Sequence, residues 1–337
     1  MTNDQLQAAY TSATGQPAGR VTRLPGGAGN RIYWRVEDVA AGHSAVVMEL
    51  PADPLKSEEA SKQEALAELP FLNVHRYLQG IGVRVPRIYL DDHQRGFVVL
   101  EDLSDRTLEA ALDGGDRRAI YADAIDQLAR LRAGAEAHPD PSCLAWSRGF
   151  DFELYQWEFE HFLEYGMFAR GSTATDAELQ ELRVAFAEIS RELAAAPRSF
   201  THRDYQSRNL MVLRGGEQVV IDFQDALQGP RQYDLVCLLR DSYVELDRPL
   251  IDQMLARYCA ALGIADVAGF AAFFDLLTVQ RKLKDAGRFV FIDQVKKNPA
   301  FLVHIPASLR YVKDALARRP DLARVSEILA RHVPELR

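Results

Sequence analysis

Thr201-His202-Arg203-Asp204-Tyr205-Gln206-Ser207-Arg208-Asn209-Leu210-Met211-Val212-Leu213 is followed closely by Val219-Val220-Ile221-Asp222-Phe223-Gln224-Asp225. The chain is organised around this stretch. Leu210 to Leu213 and Val219 to Ile221 are short β-prone runs, and Arg214-Gly215-Gly216-Glu217 between them is a turn signal. The stretch therefore reads as a polar loop, a β-hairpin and an aspartate. The hairpin brings Asn209 and Asp222 back to one end of the fold.

The spacing has a chemical reason. His202-Arg203-Asp204 with Asn209 five residues after the aspartate fits the kinase catalytic-loop pattern H-R-D-x-x-x-x-N. Asp222-Phe223-Gln224 stands where a kinase carries D-F-G. Phosphoryl transfer demands little covalent work, so positioning and charge neutralisation dominate. Asp204 is the expected catalytic residue, accepting or orienting the proton of an attacking hydroxyl. Asn209 and Asp222 are the expected ligands of Mg²⁺, a hard ion that prefers oxygen donors. H-R-D alone is a weak signal and Asp222 alone reads as a turn residue. Their conjunction with Asn209, the hairpin and the apolar strand carries the assignment.

Length and composition bound the rest. The chain has 337 residues, enough for one large domain or two lobes, with 47% hydrophobic and 26% charged residues. A net charge of −8 lacks the basic footprint of a nucleic-acid binder. Cys143, Cys237 and Cys259 form no C-x-x-C pair and no metal spacing, which suits a reducing compartment. Cys237, within Leu235-Val236-Cys237-Leu238-Leu239, reads as a small buried hydrophobe. The first residues carry no basic and apolar signal-peptide pattern, and no apolar run reaches membrane-spanning length. A cytoplasmic protein with no membrane and no nucleic-acid partner is expected.

Taken in order, residues 4–12 read as a short helix. Gly26-Gly27-Ala28-Gly29-Asn30 then feeds the alternating strand Ile32 to Glu37. Glycines there suit a loop covering nucleotide phosphates, and an ordinary hairpin turn is an equal reading. Ala45 to Leu50 is the next strand, and its end holds Met48 and Glu49 where kinases place a lysine. Lys56 and Lys62 lie beyond it and read as solvated charges. A helical pattern runs from Gln63 to Gln79, with a break or restart expected at Pro70. Val83 to Leu90 and Gly96 to Leu100 are expected strands. Glu101-Asp102-Leu103 follows as a hinge whose backbone near Glu101 and Leu103 suits adenine; an ordinary strand end reads equally well.

After Leu103 helical patterns take over: Thr107 to Leu112, Arg117 to Ala133, Phe150 to Tyr165 and Asp176 to Ala195. Expected domains are a β-rich lobe over 1–103 and a mostly helical lobe over 104–337. The aromatic and acidic run Asp151 to Phe159 reads as core and surface of one helix, with an acceptor pocket as the alternative. Asp225 reads equally as a turn residue or a second carboxylate for metal or acceptor. Asp234 opens an apolar helix and suits either a helix cap or a brace for the catalytic loop. Leu250 to Arg337 reads as helical, and Gln280-Arg281-Lys282-Leu283-Lys284 within it as a solvated face, with contact to an anionic substrate as the alternative.

These motifs together resemble the aminoglycoside phosphotransferase/choline kinase superfamily over roughly residues 20–310. The residues that carry the resemblance are Gly26 to Asn30, Leu100 to Leu103, Thr201 to Met211, and Ile221 to Ala226 with Gly229-Pro230 and Tyr233-Asp234-Leu235. Within that superfamily, Leu239-Arg240-Asp241, Gln280 to Lys284 and His304-Ile305-Pro306 are similar to the anomeric N-acetylmuramate/N-acetylglucosamine kinases of bacterial cell-wall recycling. That branch also lacks the strand lysine.

The resemblance implies an α+β, protein-kinase-like two-lobed fold with a β-rich N-lobe and a mostly helical C-lobe. It implies ATP between the lobes under Gly26, Gly27, Gly29 and Asn30, with Mg²⁺ on Asn209 and Asp222. It further implies transfer to the 1-hydroxyl of an amino sugar, and a sugar 1-phosphate passed to a uridylyltransferase. His202 is expected to brace the loop. Arg203 and Arg208 are expected to steady it or to meet phosphate or a lactyl carboxylate. The alternatives are a kinase of an aminoglycoside, choline or homoserine, and a nucleotide-binding pseudokinase, for which the missing strand lysine is the only support.

Overall fold

The structure, a computed structural model, describes residues 1–25, 31–51 and 68–337. The chain divides into two compact units, Met1–Arg106 with Met211–Asp225, and Thr107–Leu210 with Ala226–Arg337. The first unit holds α1 (Asn3–Thr14), β1 (Arg20–Arg23), β2 (Ile32–Asp38), β3 (His43–Glu49), α2 (Pro70–Gly80), β4 (Ile88–Asp92) and β5 (Phe97–Glu101). The strands form one sheet of order β1-β2-β3-β5-β4, with antiparallel neighbours throughout. Period-two alternation sends Ala45 and Val47 to one face, where they meet Leu6, Ala9 and Tyr10 of α1 together with Val36, Phe97 and Val99. Thr2 closes a capping box on α1, and Gly15 ends it in the left-handed conformation.

Proline chemistry sets two boundaries. Pro70 stands in the first turn of α2, where its missing N–H costs nothing, so the helix starts there. Gln63 to Ala67 of the expected helix lie outside the described residues, as do Lys56 and Lys62. The expected strand from Val83 forms only from Ile88. Pro86 has no N–H to donate to a ladder, and Val83 bonds back to Leu78 O instead.

The hairpin of β7 (Leu210–Val212) and β8 (Gln218–Val220) follows the expected pattern, with Gly216 at φ 88° in its turn. Val220 N–H donates to Arg84 O at 2.9 Å, and Met211 and Val219 pack with Leu103. Asp222 is therefore carried by the first unit.

The second unit is mostly helical. It contains α3 (Leu108–Ala111), α4 (Arg117–Ala137), α5 (Phe152–His161), α6 (Asp176–Ala195), α7 (Tyr233–Leu239), α8 (Arg248–Ala261), α9 (Val267–Lys296), α10 (Ile305–Leu316) and α11 (Ala323–His332). Two strands escape the sequence reading. β6 (Arg198–Thr201) pairs antiparallel with β9 (Leu227–Pro230), and this pairing leads the chain into the loop at His202.

At 30 residues, α9 is about 45 Å long. A π-helical segment, Phe162–Met167, continues α5 and lies against it. Gly287 permits this approach, since a Cβ there would stand 2.9 Å from Phe162 Cα. On α9 itself, buried Asp275 accepts two hydrogen bonds from Arg318, both at 2.7 Å, and one from Arg240 at 3.4 Å.

Replacing Asp275 with Ala removes one of the two carboxylates that Arg240 and Arg318 share and leaves Asp314 as their partner. Asp275→Ala should cost about 1–3 kcal/mol of stability, read as a lower urea midpoint. A midpoint unchanged from the parent would show the cluster to be energetically idle.

Candidate active site

Thr201 ends β6, and the next two residues are gripped by one side chain. The Asp234 carboxylate, in the first turn of α7 and fully buried, accepts from His202 N–H and Arg203 N–H, each at 2.9 Å. The Arg132 guanidinium stands 3.9 Å away as counter-charge. Asp234 thus braces the loop, the role its place in the sequence allows. Arg203 is held at φ 80°, a strained conformation for a long side chain. Cys237 Sγ donates to Arg203 O at 3.1 Å, so this thiol packs as a hydrophobe and also ties the loop. A second buried carboxylate, Asp241, accepts from Ser207 N–H at 2.8 Å and from Tyr243 N–H at 2.9 Å. Burial pushes the carboxyls of Asp234 and Asp241 above the usual range, although each loop amide works against that rise.

Inside the loop, His202 Nδ1 accepts from Asp204 N–H at 3.2 Å. The His202 ring also lies edge-on to Tyr205. The imidazole is fully buried, consistent with the bracing role expected for it. Asn209 Nδ2 donates to Asp204 O at 2.8 Å, which leaves its amide oxygen as the atom able to meet a cation. Arg208 is spent on Glu109, at 2.6 and 3.1 Å, and lies over the Tyr243 ring at 3.8 Å. His304 meets the edge of that same ring, so two sequence motifs about a hundred residues apart converge beside the loop.

The Asp204 side chain is 39% exposed, and Arg281 donates to its Oδ1 at 2.9 Å. The other arm of the guanidinium donates to the Tyr233 hydroxyl at 2.7 Å. Burial works against the Asp204 charge, yet Arg281, Lys284 and Arg203 outweigh it and hold the carboxyl below its ordinary range. Lys282 donates to Ser242 and to Asp285, the latter at 2.7 Å. Gln280 donates to buried Glu158 at 2.7 Å.

The solvated face expected for Gln280 to Lys284 is therefore corrected: Arg281 and Lys282 are each 2% exposed. They are buried because carboxylates offset their desolvation, Asp204 of the loop for Arg281 and Asp285 of the same helix for Lys282. The run from Asp151 to Phe159 follows the plainer reading. Asp151 caps α5, Tyr155 and Phe159 are core, and Trp157 is 54% exposed.

Asp222 sits at φ 64°, left-handed like Arg203. Gln224 Nε2 bridges Asp222 Oδ1 at 2.9 Å and Asp225 Oδ2 at 3.1 Å. Burial raises the Tyr33 phenol, Arg31 pulls it down, and the Asp222 charge adds to the rise. Glu101 uses its carboxylate within the first unit, on Arg84 at 2.6 Å and Arg87 N–H at 3.0 Å. The backbone N–H of Leu103 donates to no group among the described residues. Gly26, Gly27, Gly29 and Asn30 lie outside the described residues.

The Asn209 amide oxygen and the Asp222 carboxylate are each of a donor type that Mg²⁺ takes. Among the described residues no three His, Cys, Asp or Glu side chains gather to hold a metal. A carboxylate and an amide oxygen match an ion that takes one or two protein ligands and fills its shell with phosphate and water. No helix among the described residues is long and apolar enough to cross a membrane.

The sequence matches the phosphotransferase enzyme family over residues 20–273. It is 33% identical over 321 residues to the N-acetylmuramate/N-acetylglucosamine kinase of Pseudomonas putida, covering 93% of this chain and 88% of that one. It is 34% identical over 268 residues to the protein of the same name from Pseudomonas aeruginosa, covering 77% of each. Its fold is similar to that of the ADP-bound aminoglycoside phosphotransferase APH(2'')-Ib, with a TM-score of 0.59 at 13% identity, covering 92% of this chain and 98% of that one. The fold is the α+β, protein-kinase-like two-lobed class that the resemblance implies.

Asp234→Asn keeps the shape but replaces one of two acceptors with a donor that faces an N–H. Turnover should fall about 10- to 100-fold with nucleotide affinity nearly unchanged, as steady-state kinetics and calorimetry would measure. Full turnover in this variant would contradict the bracing role.

Proposed function

This chain belongs to the phosphotransferase enzyme family, and we propose that it transfers the γ-phosphoryl group of ATP to the anomeric 1-hydroxyl of N-acetylmuramate, N-acetylglucosamine or both. The names of the two Pseudomonas relatives support the acceptor class. The observation that carries the catalytic assignment is the Asp204 carboxylate itself. It is half-exposed, set on a doubly braced loop, with one oxygen already taken by Arg281.

That arrangement leaves the second oxygen of Asp204 to orient the acceptor hydroxyl. The hydroxyl oxygen bonds to the γ-phosphorus as the bond from that phosphorus to the ADP oxygen breaks, and Asp204 receives the proton. A carboxylate held below its usual range is a weak base. It suits an anomeric hydroxyl, which is more acidic than an ordinary alcohol. Asn209 and Asp222 are the proposed Mg²⁺ ligands, and the ion when bound supplies neutralising charge to the phosphates. Leu103 N–H, which donates to no group among the described residues, is proposed to donate to adenine beside Glu101. Gly26, Gly27, Gly29 and Asn30 are proposed to cover the phosphates. The sugar 1-phosphate product suits a uridylyltransferase as its consumer, and the enzyme is proposed to act in the cytoplasm.

The test is ADP release with ATP and Mg²⁺ over N-acetylglucosamine, N-acetylmuramate, kanamycin, choline and homoserine. Turnover should be confined to the amino sugars. Turnover only on kanamycin, choline or homoserine would replace the acceptor, and ATP binding without any turnover would favour a pseudokinase. Asp204→Ala should lose at least about a thousandfold in kcat while ADP still binds, as expected for the residue that orients the nucleophile. Asp222→Ala should lose Mg²⁺-dependent nucleotide binding and turnover together. Full activity in Asp204→Ala would remove its assignment.

A further inference from the structure

The place on β3 where kinases carry a lysine holds Met48, fully buried, and Glu49, whose carboxylate accepts from the Trp34 indole at 2.9 Å. Neither supplies positive charge, yet transfer of a phosphoryl group rests on neutralising its developing charge. We infer that Lys284 of α9 is a catalytic cation that donates to the phosphoryl group as it passes to the acceptor. The inference rests on the assignment of Asp204 as the residue that holds the acceptor hydroxyl.

Lys284 lies one helical turn beyond Arg281, and residues three apart on a helix share a face. Arg281 touches Asp204, so that face of α9 is turned toward the catalytic carboxylate. Lys284 is also among the charges that hold the Asp204 carboxyl low.

Its neighbours are already committed. Arg281 is spent on Asp204 and Tyr233, Lys282 on Ser242 and Asp285, and Arg208 on Glu109. Lys284 is 14% exposed, and its nearest carboxylate oxygen, on Asp285, stands at 3.6 Å, beyond hydrogen-bond reach. Among the described residues its ammonium donates to no acceptor. An ammonium nearly enclosed, one turn from the arginine that grips the catalytic carboxylate and with its hydrogen-bond donors unspent, is built to receive an anion.

The reaction brings that anion to it. The attacking oxygen is within hydrogen-bond reach of Asp204, and the phosphorus must come within about 3–3.5 Å of that oxygen. The transferring group therefore passes beside Asp204 whichever acceptor is bound. The acceptor O–P bond forms, the P–O bond to ADP breaks, and the proton goes to Asp204. Lys284 keeps its protons and hydrogen-bonds an equatorial oxygen.

Lys284→Met and Lys284→Arg test this, using kinetics with both sugars and calorimetry with Mg²⁺-ADP alone and with aluminium fluoride added. In the Met variant kcat should fall about 100-fold or more on both sugars. ADP affinity should hold within twofold, while the gain in affinity from aluminium fluoride is lost. The Arg variant, which keeps the charge, should recover part of kcat and of that gain.

Three results would overturn the assignment. One is kcat within threefold of the parent. Another is a raised KM for N-acetylmuramate alone, which would make Lys284 a reader of the acceptor's carboxylate. The third is a parallel loss of ADP affinity and thermal midpoint, which would make it structural. The calorimetric arm needs no sugar. If the parent enzyme turns over neither sugar, the proposed acceptor fails and the role of Lys284 is still decided.

Discussion

The two hydrogen bonds from His202 N–H and Arg203 N–H to the buried carboxylate of Asp234 are the constraint on which the proposed catalytic loop depends. A carboxylate with no solvent exposure is costly, and burial does push this one toward its neutral form. Two amides, the nearby Arg132 and the first turn of α7 together hold it in place. What the structure gains is a backbone that cannot relax. Arg203 stays left-handed, and the Asp204 that follows it points where Arg281 can meet it. Asp241 repeats the device one turn of loop later, at Ser207. A loop held at both ends by interior carboxylates is pre-organised before any substrate arrives.

The second support is α9. One stretch of it presents Gln280 to Glu158, Arg281 to Asp204 and Tyr233, Lys282 to Ser242 and Asp285, and leaves Lys284 with its donors unspent. The polar groups of this helix face the interior because their partners are there. A long helix on which Gly287 admits a π-helical neighbour is a rigid carrier for such groups. Rigidity at this point matters for transfer, since misplacing the hydroxyl by about 1 Å can cost two orders of magnitude in rate.

Much of this was legible in the sequence for local reasons. The H-R-D-x-x-x-x-N spacing, the hairpin with its glycine turn and the restart at Pro70 depend on residues close together in the chain. The misses are non-local. β6 and β9 are four residues each, and Gly229-Pro230 reads as loop until the partner strand is seen. Val83 to Arg87 has strand-like residues and no ladder, because Pro86 interrupts the donors. The basic run at Arg281 reads as surface since charged residues are seldom buried unpaired, and the sequence does not show that Asp204 meets Arg281 or that Ser242 meets Lys282. Nor does spacing alone bring His304 against Tyr243 and, through it, Arg208.

The site's chemistry converges on one demand. A carboxylate depressed by Arg281 positions better than it deprotonates, so the acceptor hydroxyl should be an acidic one, and the anomeric hydroxyl of a reducing sugar is such a group. The direct measurement is proton-coupled phosphorus NMR of the product formed from N-acetylglucosamine and ATP. Phosphorus coupled to the anomeric proton, with the reducing end lost, is the predicted result. Phosphorus coupled to the C6 methylene protons, with the reducing end intact, would contradict it.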